Sequence, residues 1–187
     1  MLKRSLYTAK QMFKHRVKLK EIKNYGLLDS VINLTPEYLA KHNIKYLALD
    51  FDGVLASHGK PKIYPEVKIW LDEFVKSFAE ENIFILSNKP TDIRLQYFKE
   101  NYPKIRFISG VAKKPYPDGL LKVKELVASE ANQVALVDDR LLTGCLACII
   151  AGCFSILITK PYVDRENYDK SEKFFNFLRK LEQKLFL

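Results

Sequence analysis

The sequence predicts an α/β fold, a doubly wound, Rossmann-like parallel sheet of five strands flanked by helices. Five short apolar runs, rich in β-branched or aromatic residues, have the composition of buried parallel strands. They cover residues 44–49, 83–86, 105–108, 134–137 and 154–158. Helical patterns separate these runs, which indicates parallel strands joined by crossover helices. A chain of 187 residues suits a single domain of this kind.

The predicted helices are marked by residues that start or stop a helix. Thr35 and Pro36 form the first such start, a capping hydroxyl followed by a proline at the first helical position. Further helices are expected from Pro65 to about Glu80, over 92–101, over 117–130 and from Thr143 to Gly152. Right-handed crossovers place the loops that follow all five strands at one edge of the sheet.

Residues able to do chemistry follow four of the apolar runs. They are Asp50 and Asp52, then Ser87 and Asn88, then Lys114, then Asp138 and Asp139. An ordinary Asp-Gly turn would explain Asp52 and Gly53 alone, but it leaves the later strand ends unexplained. Because ligands of open α/β sheets bind outside the carboxyl ends of the strands, we expect these residues to meet in one pocket.

This set of side chains suits phosphoryl transfer. Hydrolysis of a phosphate monoester needs up to roughly 10²¹-fold acceleration, whereas one general acid or base supplies about 10²–10⁴-fold, so several groups must act together. A carboxylate nucleophile divides the reaction into two easier steps, which are joined by an aspartyl-phosphate intermediate. A divalent cation bound by oxygen ligands, with a lysine and a serine, balances charge on the phosphoryl oxygens.

At these residues the chain resembles the haloacid dehalogenase-like (HAD) phosphatases, whose motifs follow in the same order. Asp50-Phe51-Asp52-Gly53-Val54 resembles the nucleophile motif, which implies Asp50 as the attacking carboxylate and Asp52 as the acid/base. The resemblance further implies phosphate binding by Ser87, Asn88 and Lys114, and a Mg²⁺ site formed by Asp50, Asp52, Asp139 and Asp138. A two-component receiver domain also uses acids, a hydroxyl and a Lys-Pro on such a sheet. It is disfavoured, because its adjacent acidic pair follows the first strand, whereas Asp138-Asp139 follows the fourth.

A narrower resemblance points to the HAD subfamily IIIA branch that contains the phosphatidylglycerophosphate phosphatases (YqeG-type proteins). It covers some two thirds of the chain, from Leu34-Thr35-Pro36 to Thr159-Lys160-Pro161. It implies conversion of phosphatidylglycerophosphate to phosphatidylglycerol. A phosphatase for another headgroup, sugar or protein, and a catalytically silent membrane- or partner-binding module, are the alternatives.

Three positions depart from the pattern of this branch. Asp138-Asp139 stands where Gly-Asp is usual, and Gly144 stands where a second aspartate usually follows the threonine. Ala147-Cys148-Ile149-Ile150 replaces a Gly-Gly-Asn-Arg type stretch. The first two departures leave open whether Asp138 or Asp139 is the main metal ligand, and the third bears on substrate identity.

The connections are too short for a cap domain. Fewer than ten residues separate Leu55 from Tyr64, and one helix and one strand consume residues 89–113. We therefore expect an open site. Within the resembled superfamily, this absence implies a large substrate or one presented at a surface.

The N-terminal segment, residues 1–25, is basic and amphipathic. Seven of the 31 basic residues lie in the first twenty positions, which contain no acid, so the remaining chain is nearly neutral, with 24 basic against 22 acidic residues. Apolar residues recur beside them at helical spacing: Leu2, Leu6, Ala9, Phe13 and Val17. This pattern favours an anionic membrane surface, at about 1 kcal/mol per basic residue. A solvated extension and a mitochondrial-type transit segment are alternatives. Nucleic acid is not expected, because no recognition motif accompanies the charge.

Residues 141–159 carry no charge, a run close to the roughly twenty residues that span a bilayer. Gly144 and Gly152 interrupt it where the fold requires a helix and a strand, so a buried helix followed by a buried strand is favoured over a transmembrane segment. Cys145, Cys148 and Cys153 are expected to be core residues. Unpaired thiols without a secretory signal favour a reducing compartment, either the cytoplasm, with peripheral binding to the inner face of a membrane, or a mitochondrial matrix.

The chain is thus divided into the N-terminal segment, a core over 26–163 and a C-terminal amphipathic helix over 164–187. The apolar residues of this last helix are Phe174, Phe177, Leu178, Leu181 and Leu185. We expect them to pack onto the sheet; self-association and lipid contact are the alternatives.

Overall fold

A computed structural model describes residues 2–164 and 170–187 and shows one parallel sheet of six strands. The strands lie in the order β1-β6-β5-β2-β3-β4. Their bounds are β1 Leu27–Leu28, β2 Tyr46–Leu49, β3 Ile83–Ile85, β4 Arg106–Phe107, β5 Val134–Asp138 and β6 Phe154–Ile158. The five predicted strands are present, and the sixth, β1, pairs with β6 at the edge.

Seven α-helices accompany the sheet in the described residues. They are α1 Leu2–Glu21, α2 Pro36–Lys41, α3 Pro65–Ser77, α4 Asp92–Asn101, α5 Asp118–Val127, α6 Leu146–Ala151 and α7 Lys170–Phe186. The side chain of Thr35 accepts a hydrogen bond from the Tyr38 amide, which confirms the predicted start of α2. Helix α1 is interrupted at His15, where the backbone is not helical.

Both faces of the sheet are covered, as a parallel sheet requires. One face packs against α3 and α4 through Val67, Leu71 and Phe98, and the other packs against α5 and α6 through Leu120 and Ala147. A third cluster joins Leu19 and Ile22, at the end of α1, to Leu146, Leu157 and Phe186. These contacts fix α1 and α7 to the domain.

The uncharged stretch forms a π-helical turn (Leu141–Cys145), α6 and β6, which confirms the predicted buried helix and strand. Cys145 and Cys148 are buried free thiols, so they are core residues as expected. Among the described residues, no helix has both the length and the apolar character needed to cross a bilayer.

Helix α7 packs in the opposite sense to the prediction. It buries Glu172, Arg179 and Glu182, and it leaves Phe174 and Phe177 exposed. The expectation that its apolar face covers the sheet is therefore wrong. Of the predicted terminal segments, residue 1 and residues 165–169 lie outside the described residues.

Candidate active site

Three carboxylates meet where β2 and β5 end side by side. Leu49 pairs with Val137 in the sheet, and the Asp50 amide donates to the Val137 carbonyl at 2.9 Å. This register brings Asp50 next to Asp138 and Asp139, and one carboxylate oxygen from each lies within 4.8 Å of the others. All three side chains are buried. Asp50 and Asp139 are therefore close enough to share one cation.

The Lys114 ammonium lies against two of these acids. Its Nζ is 2.9 Å from Asp50 Oδ1 and 2.5 Å from Asp138 Oδ2, and it donates to the Leu86 carbonyl at 3.0 Å. These contacts use all three donors of the ammonium group. Burial acts to lower the pKa of Lys114, but the charges of Asp138 and Asp50 outweigh it and raise the pKa above its ordinary value. Lys114 is thus a fixed positive charge at the ends of β2, β3 and β5.

Asn88 holds the loop that carries this lysine. Its Oδ1 accepts from the Lys114 amide at 2.8 Å, and its Nδ2 donates to the Lys114 carbonyl at 3.4 Å. The Lys114–Pro115 peptide of this loop is cis. The side chain predicted to bind phosphate is therefore engaged in positioning Lys114.

Ser87 is buried directly after Leu86, whose carbonyl binds Lys114. Its Oγ accepts a hydrogen bond from the Lys89 amide at 3.1 Å. Ser87 is therefore at the same sheet edge as the acids, one residue from the point where Lys114 is bound.

Asp52 departs from its predicted place. Arg94 donates to both of its oxygens, at 2.7 Å to Oδ1 and 3.1 Å to Oδ2, and the Gly59 amide donates to Oδ1 at 2.9 Å. Burial acts to raise the pKa of Asp52, but the hydrogen bonds and charge of Arg94 lower it below its ordinary value. The Asp52 side chain is not part of the cluster formed by Asp50, Asp138 and Asp139. Its predicted role as a side-chain metal ligand is therefore corrected.

Arg94 was not among the predicted site residues. It is 1% exposed, its guanidinium lies 3.8 Å from the centre of the Phe51 ring, and it also donates to the carbonyls of Lys60 and Lys89. It therefore links the loops that follow β2 and β3. A signal was present, because Arg94 stands one helical turn before the buried Phe98 in α4 and so lies on the buried face.

Helix α7 closes the other side of the site. Arg179 donates from Nε to Asp139 Oδ2, and its Nη1 lies 3.6 Å from Glu172 Oε1. Glu182 accepts from Arg140, the residue after Asp139. In the described residues, the connections from β2 to α3 and from β3 to α5 contain no cap domain, as predicted. The expected open site is corrected, because the inward charges of α7 cover Asp139.

Gly53 leaves the space that this arrangement needs. It has a φ of +88°, and a Cβ added to it would stand 2.2 Å from Asp139 Oδ2. A side chain here would be strained and would also displace the carboxylate. The glycine of the Asp-Phe-Asp-Gly motif therefore permits the close approach of Asp139.

A similar contact links two of the departures found in the sequence. A Cβ added to Gly144 would lie 2.0 Å from the Asp138 carboxylate. Asp138 thus fills the space that a side chain at position 144 would need. The aspartate at 138 and the glycine at 144 are therefore sterically coupled.

The buried and half-buried charges of the site do not balance. Five acids surround it (Asp50, Asp138, Asp139, Glu172 and Glu182), against three cations (Lys114, Arg140 and Arg179). Burial, reinforced by Asp138 and Asp139, raises the pKa of Asp50 well above its ordinary value despite Lys114. Burial also raises the pKa of Asp139 to about 6, against the charge of Arg179. An excess of two negative charges on hard oxygen donors fits one divalent cation.

A cleft of about 720 Å³ lies beside α7, between that helix and the loop after β6. Thr159, Lys160 and Tyr162 line one wall, and Asn176 and Lys180 line the other. The Tyr162 amide donates to the Gly53 carbonyl at 2.9 Å, so the cleft borders the loop after Asp50. Of the two lysines in its lining, Lys160 is paired with Asp29 at 2.8 Å.

The parallel α/β fold, with acids, a lysine and a serine at adjoining strand ends, places the protein in the class of HAD-like phosphatases. Residues 3–163 match the family model described as mitochondrial PGP phosphatase, and the chain belongs to this family. Helix α7 lies beyond the matched residues.

Among solved structures, the chain is similar to a HAD family enzyme from Bacteroides thetaiotaomicron, with 16% identity, a TM-score of 0.41, and coverage of 70% of this chain and 98% of that one. A search of the curated proteins gives no match.

Proposed function

We propose that the protein hydrolyses the terminal phosphate of phosphatidylglycerophosphate, with Mg²⁺ as cofactor, to give phosphatidylglycerol and phosphate. The observation that carries this proposal is the group of three buried carboxylates within 4.8 Å, in contact with Lys114, in a member of this family. The substrate is that of the family. The proposed roles of Asp50 and Asp52 follow the resemblance of Asp50-Phe51-Asp52-Gly53 to the HAD nucleophile motif, and the geometry supports Asp50, Asp138 and Asp139 as a shared metal site.

Asp50, Asp138 and Asp139 are the proposed metal ligands. Carboxylate oxygens are the donors that Mg²⁺ prefers, and the two excess negative charges of the buried site match its charge. A bound Mg²⁺ would neutralise negative charge on the phosphoryl oxygens and orient the phosphate. The Ser87 hydroxyl is the proposed hydrogen-bond donor to a phosphoryl oxygen, and the Lys114 ammonium, held beside Asp50, supplies positive charge next to the phosphate.

Asp50 is the proposed nucleophile. Its carboxylate oxygen bonds to phosphorus as the bond from phosphorus to the glycerol oxygen breaks, and the released alcohol takes up one proton. Water then attacks the aspartyl-phosphate, gives up a proton, and releases phosphate with the Asp50 carboxylate restored. Without a cation, burial and the neighbouring acids raise the pKa of Asp50 well above its ordinary value despite the contact with Lys114. In this proposal Lys114 and a bound divalent cation would therefore together favour the ionised carboxylate.

Asp52 is the proposed carrier of the proton in both steps. Arg94 holds its carboxylate ionised, which suits removal of a proton from water in the second step. Donation to the leaving alcohol in the first step requires a protonated Asp52, and that form is favoured only when the contact with Arg94 opens. The pair of Asp52 and Arg94 therefore sets the acid side of the pH profile.

We place the protein on an anionic membrane surface, bound through α1, on the matrix side in a mitochondrion or on the cytoplasmic face of a bacterial membrane. The basic residues of α1 and the mitochondrial name of the family support this placement. The three free cysteines fit a reducing compartment.

A comparison of substrates tests the proposal. Purified protein would be assayed for phosphate release from phosphatidylglycerophosphate in vesicles and from soluble phosphomonoesters (p-nitrophenyl phosphate, sugar phosphates and a phosphopeptide), with Mg²⁺ and with EDTA. We expect Mg²⁺-dependent release with kcat/KM at least about 100-fold higher for the lipid, because binding of the remote lipid portion lowers the barrier. Preferred turnover of a soluble sugar or peptide would replace the lipid assignment. An absence of any turnover, with vesicle binding retained, would identify a silent binding module.

A further inference from the structure

Helix α7 has an exposed apolar face opposite its buried charges. Phe174, Phe177, Leu181 and Leu185 are 57%, 61%, 42% and 54% exposed. They recur every three or four residues, so they form one stripe along the helix. A helix that only covers a domain turns its apolar stripe inward. Helix α7 does the reverse: its outer stripe is exposed, and its one ring contact among the described residues, between Phe174 and Phe175, lies within the helix itself.

The charges of α7 are sorted in the same way. Its two acids, Glu172 and Glu182, are both buried. All four of its lysines are exposed: Lys170, Lys173, Lys180 and Lys184. The outward surface of the helix therefore combines apolar side chains with positive charge alone.

Helix α1 repeats this arrangement and is in contact with α7. Leu2, Leu6, Phe13 and Val17 are each more than 60% exposed, while Leu19 is buried in the cluster that also contains Phe186 of α7. Seven basic residues and no acid lie in the first twenty positions. Two adjoining helices thus present apolar and basic outer faces.

Both helices also contact loops of the site. Arg179 of α7 binds Asp139, and Phe175 of α7 lies 4.6 Å from the ring of His58, which follows the Asp50 motif. Tyr7 of α1 stacks on Tyr116 with ring centroids 4.4 Å apart, two residues after Lys114. The helices with the outward apolar stripes are therefore the ones that border the catalytic edge.

We propose that α7 is a membrane-docking helix, whose outer face inserts beside α1 into the headgroup region of an anionic bilayer while its inner face completes the active site. This inference deepens the proposed function, because a lipid substrate is presented at that surface. The apolar side chains of this face can insert at the boundary between headgroups and acyl chains, and its lysines can contact anionic headgroups. Pairing with a second copy would bring two lysine-rich faces together, and like charges oppose such an interface.

Vesicle binding of the full chain tests the docking role apart from catalysis. Co-sedimentation would be measured with phosphatidylcholine vesicles, with and without about one third phosphatidylglycerol, for the wild type and for the double variant F174S/F177S. The matched controls are I69S and I93S, on α3 and α4, whose isoleucines are exposed to a similar extent. We expect the double variant to lose tenfold or more in partitioning (about 1.4 kcal/mol), and the controls to bind like the wild type.

A second variant and a second assay distinguish a loss of membrane binding from a loss of folding. K180E/K184E should weaken binding to anionic vesicles and leave binding to neutral ones unchanged. Hydrolysis of p-nitrophenyl phosphate by F174S/F177S should match that of the wild type, since both phenylalanine side chains are more than half exposed.

Unchanged vesicle binding in both α7 variants would overturn the docking role. The same holds for a wild-type dimer that F174S/F177S converts to a monomer without loss of vesicle binding. If the vesicle results are as expected but phosphatidylglycerophosphate is not hydrolysed, the proposed substrate fails and the docking helix stands.

Discussion

Arg179 of α7 binds the carboxylate of Asp139, one of the three acids of the candidate metal site, and both side chains are buried. The two residues are 40 positions apart, and Arg179 lies beyond the residues that match the family model. Helix α7 thus covers one side of the site in a phosphatase whose described residues contain no cap domain.

The first prediction concerns the loss of this arginine. In R179A the buried acids Asp139 and Glu172 lose a cation, so we expect the free energy of unfolding to fall by about 3–5 kcal/mol. Added Mg²⁺ should recover more of the melting temperature in R179A than it adds in the wild type, because it replaces the missing charge. Thermal melts with Mg²⁺ and with EDTA measure both effects. K180A, an exposed neighbour, is the control, and equal melting temperatures for the two variants would refute the role of Arg179.

The second prediction concerns pH. Because the pKa of Asp139 is raised to about 6 from its ordinary 3.8, the folded metal-free protein keeps a proton that the unfolded chain releases. Its stability should therefore fall as the pH rises from about 4 to about 6, and Asp50 acts in the same direction. Mg²⁺ must displace these protons, so its affinity should rise over the same interval. Melting curves would show a larger Mg²⁺-induced increase near pH 7 than near pH 5; equal increases would count against these acids as ligands.

The third prediction concerns Arg94. Without its guanidinium, burial raises the pKa of Asp52. R94A should therefore move the acid limb of the kcat profile for p-nitrophenyl phosphate to higher pH, and R94K should move it less. R106A is the matched control, because Arg106 also lies over an aromatic ring, that of Phe84, but outside the site. If the acid limb of the kcat profile of R94A lies at the same pH as that of the wild type, Asp52 is excluded as the proton carrier.

The fourth prediction concerns the linked pair of Asp138 and Gly144. G144A should place a methyl group against the Asp138 carboxylate and lower kcat by about 10–100-fold, as misplacement of about 1 Å does in active sites. G110A is the control for the backbone cost of a glycine-to-alanine change, because Gly110 has a φ of +70° but nothing within 4 Å of an added Cβ. The exchange D138G/G144D, which restores the usual pattern of the branch, should be more active than G144D alone. Equal activity of the exchange and G144D would show that the two positions are independent.

Much of this architecture is local in the sequence. The five predicted strands are apolar runs, and the acids that follow two of them converge because parallel strands end at one edge. Strand β1 was not predicted, because its two residues are too few to show a pattern of alternating apolar positions. Periodicity also revealed the two faces of α7, but it could not show which face is buried, since Arg179 and Glu182 find their partners 40 and 42 positions away.

The error at Asp52 has the same origin. Its spacing from Asp50 places both side chains on one side of an extended strand. The side chain that decides its charge state, Arg94, comes 42 positions later in α4. Pairing between distant residues is a property of the fold, and a single sequence does not carry it.

The most direct test of the account is phosphate release from phosphatidylglycerophosphate vesicles by the wild type and by D50N, with Mg²⁺ present and the melting temperature of each protein measured. If Asp50 is the nucleophile, D50N should remain folded and lose at least about 10⁴-fold in kcat, comparable to the loss of other catalytic nucleophiles. A folded D50N that releases phosphate at the wild-type rate would contradict the central claim.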